Sequence, residues 1–296
     1  KAINIPLDRE IVHVLPQDFL VDDQPGIKDP IGMSGVRLEA DVHIVTGAVT
    51  SAQNICKSIR RAGVEVVDLV LEPIASSYAV LTPDEEEMGC LLVDIGGGTS
   101  DIAVFYDGSI RHTAVVGLGG ENVTHDVSIG MRTPLKQAEA LKRMHGCALS
   151  SLVSKEEAIE VPGIAGRPPY KVERAEMTSI IEARMDEIFS LVHRELMRTD
   201  YAHLLAAGVV VTGGGAMVEG CAELAEEIFD MPVRIGTPRN VTGLVDAVTQ
   251  PIYATGVGLV QFGLNHQNRE GHLMNGNGEM FNSILGRMKG WVKDFF

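Results

Sequence analysis

Two stretches of this 296-residue chain gather the residue types that grip phosphate. In residues 91–110, LLVDIGGGTSDIAVFYDGSI, an apolar run meets Gly96, Gly97 and Gly98 between Asp94 and Asp101, then leaves as a second strand-like run. Main-chain amides reach a phosphate only where no β-carbon holds it off, and glycine also tolerates positive φ. The glycine amides and the Thr99 hydroxyl are therefore candidates for terminal phosphate oxygens, and Asp94 for a magnesium ion held through its water shell. In VVVTGGGAMVEG a second triplet, Gly213, Gly214 and Gly215, follows an apolar strand and opens a helix. Bare backbone there lets a flat adenine ring and its ribose lie against the main chain. Either turn alone is equally a structural bend, since glycine is common in hairpins and in β-to-α turns. The pair together points to a nucleoside triphosphate.

The elements that must hold these turns read as α/β. Residues 1–72 are β-rich and then βαβ: EIVHVLPQDFLV, VRLEADVHIVTG, a helix, and a strand in VEVVDLVLE. Thr50 is positioned to cap that helix, Ala52, Ile55, Cys56 and Ile59 give it one apolar face, and Gly63 stands where a left-handed C-terminal cap belongs. A short helix, EPIASSYAVL, and a polar acidic loop, TPDEEEMG, lead into the first glycine turn. Beyond it RHTAVVGLGG continues the sheet. PLKQAEALKRMHG is a helix with Pro134 at its start and Gly146 at its end. Glu139 and Lys142, three apart, share one of its faces and are by spacing alone a surface ion pair. A loop with GRPPY precedes a long amphipathic helix over 173–198, marked by Met177, Ile180, Ile181, Ile188, Phe189 and Val192. PVRIG is a short strand, and PIYATGVGLVQFG a last helix.

Composition narrows the partners. With 45% hydrophobic residues the chain can bury a core of roughly two domains. A formal charge of -15 argues against nucleic acid, whose phosphates are repelled by an acidic surface. Cys56, Cys90, Cys147 and Cys221 are widely spaced, as buried thiols in a reducing compartment are, and the histidines show no zinc-ligand pairing. No apolar run is long enough to span a bilayer. The sequence opens at Lys1 in strand-like residues, which reads as a fragment without its N-terminal part.

The far end changes character. Residues 264–280 are rich in Asn, Gly and His and read as a flexible linker. In FNSILGRMKGWVKDFF, residues 281–296, Phe281, Ile284, Leu285, Met288, Trp291, Val292 and Phe295 recur at spacings of three and four and form one apolar stripe. Arg287, Lys289 and Lys293 oppose a single Asp294. A helix of that size, about 24 Å, is too short to cross a bilayer but suits its interface, anionic lipid above all. The other reading is a helix that docks on the protein's own core or on a partner's groove.

LLVDIGGGTSDIAVF resembles the second phosphate loop of the actin, sugar-kinase and heat-shock chaperone superfamily, VVVTGGGAMVEG its adenosine loop, AEALKRMHG its ribose and adenine helix, and EPIASSYAVL its first hinge helix. HVLPQDFLVDDQPGIKDPIGMSGVRLEADVHIVTG, HGCALSSLV, AGRPPY and RIGTPRNVTGL together resemble the bacterial FtsA cell-division family over essentially the whole chain. The resemblance implies an actin-like, ribonuclease H-like fold that binds ATP and magnesium. It gives Glu139 and Lys142 to the nucleotide and makes Glu72 an orienter of magnesium or attacking water, where the plain reading has Glu72 merely preceding Pro73 at a helix start. It implies a peripheral protein on the cytoplasmic face of the membrane at the division site, at most a weak ATPase, that polymerises and ties the FtsZ C-terminal peptide to lipid. The implied layout is a partial subdomain 1C over 1–70, hinge helix and phosphate sheet over 71–118, subdomain 2B over 119–206 with the FtsZ contact, adenosine loop and return helix over 207–263, then linker and membrane helix. The superfamily's first phosphate loop, an Asp-x-Gly-Thr turn, is not in this sequence, so much of subdomain 1A is expected to be lacking. A small-metabolite kinase of the same superfamily is the alternative, and a chaperone a third.

Overall fold

The computed structural model describes residues 5–154, 156–164, 166–243 and 245–275. The chain begins with β1 (Arg9–Val21), β2 (Gln24–Ile27) and β3 (Leu38–Ala48), an antiparallel sheet in the order β2-β1-β3, followed by α1 (Val49–Arg61). Then come α2 (Glu72–Val80), α3 (Pro83–Met88), β4 (Cys90–Ile95), β5 (Ser100–Tyr106), β6 (Ser109–Val116), α4 (Gly120–Gly130) and α5 (Leu135–His145). A hairpin of β7 (Ala158–Val161) and β8 (Tyr170–Glu173) precedes α6 (Arg174–Leu196). The chain closes with β9 (Val209–Thr212), α7 (Cys221–Phe229), β10 (Val233–Ile235), α8 (Val245–Val248) and α9 (Ala254–Asn275).

The central sheet runs β10-β9-β4-β5-β6, with β10, β9 and β4 parallel and β5 and β6 added antiparallel. Strand β4 is buried at every residue, which is why CLLVDI is apolar without alternation: a strand covered on both faces needs no polar side. The period of two then sorts its side chains. Leu91, Val93 and Ile95, with Ile102 and Val104 of β5 and Val209 and Val211 of β9, enter the larger core beside α4, α6 and α7. Cys90, Leu92, Ala103, Phe105 and Val210 enter the smaller one, closed by Ala79 and Val80 of α2 and Ala254 of α9. In α6 Met177, Ile181, Met185, Ile188, Phe189, Val192 and Leu196 are all buried, as its helical spacing requires.

Several local expectations change. TPDEEEMG is helical as α3, because Thr82 and Glu85 form a reciprocal capping box and Glu85 also receives two hydrogen bonds from Arg234, at 2.5 and 2.7 Å. VEVVDLVLE forms no strand: residues 64–71 join no ladder among the described residues, Leu71 N donates to His13 Nε2 at 3.0 Å instead, and Val67 is 96% exposed. Helix α1 starts one residue before Thr50, with Ala48 as its N-cap and no side-chain cap, whereas Gly63 does take positive φ, +82°. Helix α4 and the β7–β8 hairpin lie where only a loop or the end of the sheet is expected. Helix α9 continues to Asn275 and takes in the first part of the expected linker, with no proline to stop it. The apolar stripe of 281–296 lies outside the described residues.

Candidate nucleotide site

Strands β4 and β9 are parallel neighbours in register, Asp94 beside Thr212, so both glycine triplets leave the sheet at the same edge. Ligands of such sheets bind beyond the carboxyl ends of the strands, and here both ends finish in bare backbone. The two bends touch. A β-carbon on Gly213, where φ is +86°, would come within 2.3 Å of Asp94 Oδ1, and one on Gly215 within 2.3 Å of the Ile95 side chain. The two bends therefore meet through Gly213 and Gly215 against Asp94 and Ile95.

The first bend is fixed from its other side by α4. The Gly96 amide bonds Thr99 O at 2.9 Å, and the carbonyls of Gly96 and Gly97 accept from the amides of Gly120 and Glu121 at 2.9 and 2.8 Å. That approach needs Gly119, whose β-carbon would lie 2.6 Å from Gly97 O. Lys142 of α5 then reaches α4: its Nζ donates to Gly120 O at 2.9 Å, to Thr124 Oγ1 at 2.7 Å and to Glu139 Oε2 at 2.7 Å. The Glu139–Lys142 pair is therefore more than a surface pair, because Lys142 is tied to the helix that holds the phosphate-type turn. Burial opposes ionisation of Glu139, but hydrogen bonds from Lys142 and Thr124 outweigh it and hold its carboxyl below the usual range.

Acidic groups gather on the opposite wall. Asp94 is 2% exposed, and its Oδ2 accepts from Ser76 Oγ of α2 and, at 3.2 Å, from Thr255 Oγ1 of α9. Burial raises its pKa, and those two hydrogen bonds oppose the rise. Asp101 is raised by burial too, opposed by Thr99, whose hydroxyl donates to it at 2.9 Å. At the start of α2, Glu72 is pushed up to about 7 by burial and by the charges of Asp94 and Asp101, against a hydrogen bond from Thr255. A cation brought beside these three carboxyls would be favoured by their charge. Among the described residues no three His, Cys, Asp or Glu side chains are grouped to hold a metal ion by themselves. A hydrated magnesium fits this donor set better than a stripped one, since magnesium keeps several waters and takes its remaining oxygens from phosphate.

The sequence candidates thus fall into three sets: Gly213 and Gly215 lie against Asp94 and Ile95, which lead into Gly96, Gly97, Gly98 and Thr99, with Gly214 between them facing Ile252; Glu139 and Lys142 brace α4; and Glu72 stands near Asp94 and Asp101. Five residues enter that the sequence left unassigned: Ser76, Asp101, Glu121, Thr124 and Thr255. Only Asp101 carried a signal, as the mirror of Asp94 across the glycines. Ser76 and Thr255 are small polar residues inside otherwise apolar helices, a pattern shared by many satisfied hydroxyls.

Comparison with known proteins bears on this geometry. Residues 91–258 match the family model described as cell division protein FtsA, and residues 1–46 the one described as SHS2 domain inserted in FTSA. Cell division protein FtsA of Pseudomonas aeruginosa is 49% identical over the whole of this chain, which spans 72% of that protein. The Bacillus subtilis protein of the same name is 38% identical over 92% of this chain and 60% of its own length. Among solved structures, MreB 5 of Spiroplasma citri bound to AMPPNP superposes with a TM-score of 0.60 at 19% identity, covering 88% of this chain and 90% of its own. The MamK double helical filament gives 0.55 at 18%, over 73% and 65%. These likenesses show the actin-like ATPase fold.

The raised Glu72 has a measurable consequence. Its folded pKa of about 7 exceeds the ordinary 4.5, so the folded state holds this proton more tightly than the unfolded one. The stability it contributes is full below pH 4.5 and is lost as pH rises through 7. In metal-free buffer Glu72→Gln is therefore expected to be more stable than the parent at pH 8, with the advantage shrinking toward pH 5. Urea unfolding at both pH values measures it, and a difference that does not change with pH contradicts the assignment.

Proposed function

The chain belongs to the FtsA cell-division family, an actin-like family, and from that premise we propose that it is an ATP- and magnesium-binding tether that joins the FtsZ polymer to the cytoplasmic membrane. Family membership replaces the metabolite-kinase and chaperone readings. One observation carries the nucleotide part: the two bare-backbone bends share an edge of the sheet, with the Asp94 carboxylate between them. The amides of Gly97 and Gly98 receive the terminal phosphates, the Gly96 amide being held by Thr99 O and the Thr99 hydroxyl having to leave Asp101 to join them, and Asp94 accepts from the water shell of magnesium. Gly213, Gly214 and Gly215 lie under the adenosine, while Glu139, held by Lys142, reaches its ribose side. Bound magnesium supplies charge neutralisation between the phosphates and the acidic wall. Glu72, its carboxyl raised by burial beside Asp94 and Asp101, is the candidate to orient magnesium or an attacking water, and hydrolysis is secondary to binding on this reading.

The FtsZ contact is proposed at a groove within 119–206. A cavity of about 720 Å³ opens between the end of α4, the β7–β8 hairpin and the start of α6, lined by Arg132, Ile164, Arg167, Pro168, Tyr170 and Val172. Arg132 and Arg167, with Glu176 as the one acid among the described lining residues, stand among apolar residues, a set that suits a peptide bringing both apolar side chains and a carboxylate. For lipid, no helix among the described residues is long and apolar enough to cross a membrane, and the apolar stripe of 281–296 is the proposed in-plane anchor. One such helix holds weakly, because ordering it costs roughly 1 kcal/mol or more per residue against partial burial of each side chain. Self-assembly into an actin-like polymer presents many anchors at once and makes the attachment firm.

Three outcomes are expected. Asp94→Ala weakens ATP binding in the presence of magnesium by at least about tenfold, the scale of one charge-assisted contact, in calorimetric titration; equal affinity rejects the role. Trp291→Glu releases the protein from anionic liposomes, and unchanged co-sedimentation rules out the anchor. Arg167→Glu weakens binding of a fluorescent FtsZ C-terminal peptide by about tenfold, the scale of a charge-paired hydrogen bond, and unaltered anisotropy places the peptide elsewhere.

A further inference from the structure

The Asp94 carboxylate is aimed by two helices. Both side-chain hydrogen bonds to Asp94 fall on the same oxygen, Oδ2, from Ser76 on α2 and Thr255 on α9. The two hydroxyls lie 3.1 Å from each other. The other oxygen, Oδ1, faces Gly213, where the lack of a side chain leaves it room. Oδ2 thus takes both hydroxyls, while Oδ1 packs against the Gly213 turn.

The helices that supply the hydroxyls are locked together beside them. A β-carbon on Gly258 would lie 1.8 Å from the carbonyl oxygen of Ala75, so the backbone of α9 rests directly on α2. Gly258 is three residues beyond Thr255, on the same face of α9, and Ala75 precedes Ser76. That backbone contact sets how far apart the two hydroxyls stand.

We propose that Ser76 and Thr255 form a two-helix clamp that positions Asp94 toward its hydrated cation, so that capture of magnesium depends on how α9 sits on α2. Neither residue touches the nucleotide; both are positioning residues that act through Asp94. The inference rests on the nucleotide reading of the two bends. It is supported by the electrostatics, because the two hydroxyls oppose the burial that would otherwise favour a protonated Asp94, and a protonated carboxyl is a poor acceptor for metal-bound water.

The test is calorimetric titration of the full chain with ATP, once with magnesium and once with a chelator, for the parent, Thr255→Val, Thr255→Ser and Ser76→Ala. Valine keeps the branched shape without the hydroxyl, and serine keeps the hydroxyl without the branch. Thr255→Val and Ser76→Ala are expected to lose about tenfold in affinity with magnesium, the scale of one hydrogen bond to a charged group, and to match the parent with chelator. Thr255→Ser is expected to stay within about twofold of the parent. A parent-like magnesium response in both Thr255→Val and Ser76→Ala overturns the clamp, as does a serine variant as impaired as the valine one, which would make the effect one of packing. A parent that binds ATP equally with and without magnesium overturns the cation reading of Asp94, and the clamp with it.

Discussion

The structure depends on the parallel pairing of β4 with β9. Each strand ends in three glycines, and the register that sets Asp94 beside Thr212 brings the two ends so close that Gly213 has no room for a β-carbon against the aspartate. Two segments more than a hundred residues apart in sequence come together because the glycines of the second leave room for the Asp94 and Ile95 side chains of the first. Most of what surrounds the pair can be understood as holding that edge: α4 clamps the first bend through its leading amides, α5 braces α4 through Lys142, and α2 and α9 press on the sheet from the other face.

That architecture puts acids where an acidic protein can least easily keep them charged. The chain carries a formal charge of -15, and Glu72, Asp94 and Asp101 add three carboxyls on one wall, each with its pKa raised by burial. Hydroxyls of Ser76, Thr99 and Thr255 offset part of this, and a divalent cation with phosphate oxygens would offset more. Lys142, the basic residue among the assigned groups, is spent on α4 and Glu139, so on the proposed reading the phosphates would fall to main-chain amides and to the metal. An anion would then meet this protein through local backbone geometry, against its overall field.

Much of this was legible from residue types. The glycine triplets announce themselves because glycine is the residue whose backbone a ligand can approach freely, and Asp94 because an acid inside an otherwise apolar strand needs a reason. Helix α6 followed from its apolar period, and the sheet from runs such as CLLVDI. Illegible were features set by tertiary partners. TPDEEEMG is not among these: its Thr82-x-x-Glu85 capping box with Pro83 at the first turn is a local helix signal that reads as a loop only if its acidic run is weighed alone, and Arg234 reinforces it. VEVVDLVLE has every local mark of a strand, yet residues 64–71 join no ladder among those described. Ser76 and Thr255 gain their roles from a helix crossing that the sequence shows only as Gly258, one glycine among 32.

The central claim, one nucleotide gripped from both ends by the two bends, is tested most directly by crystals grown with ATP and magnesium. The account predicts density for the terminal phosphates against residues 96–99, a metal-bound water on Asp94 and the adenosine over residues 213–215. Phosphates bound away from Gly97, or an adenine that does not touch Gly214, would contradict it.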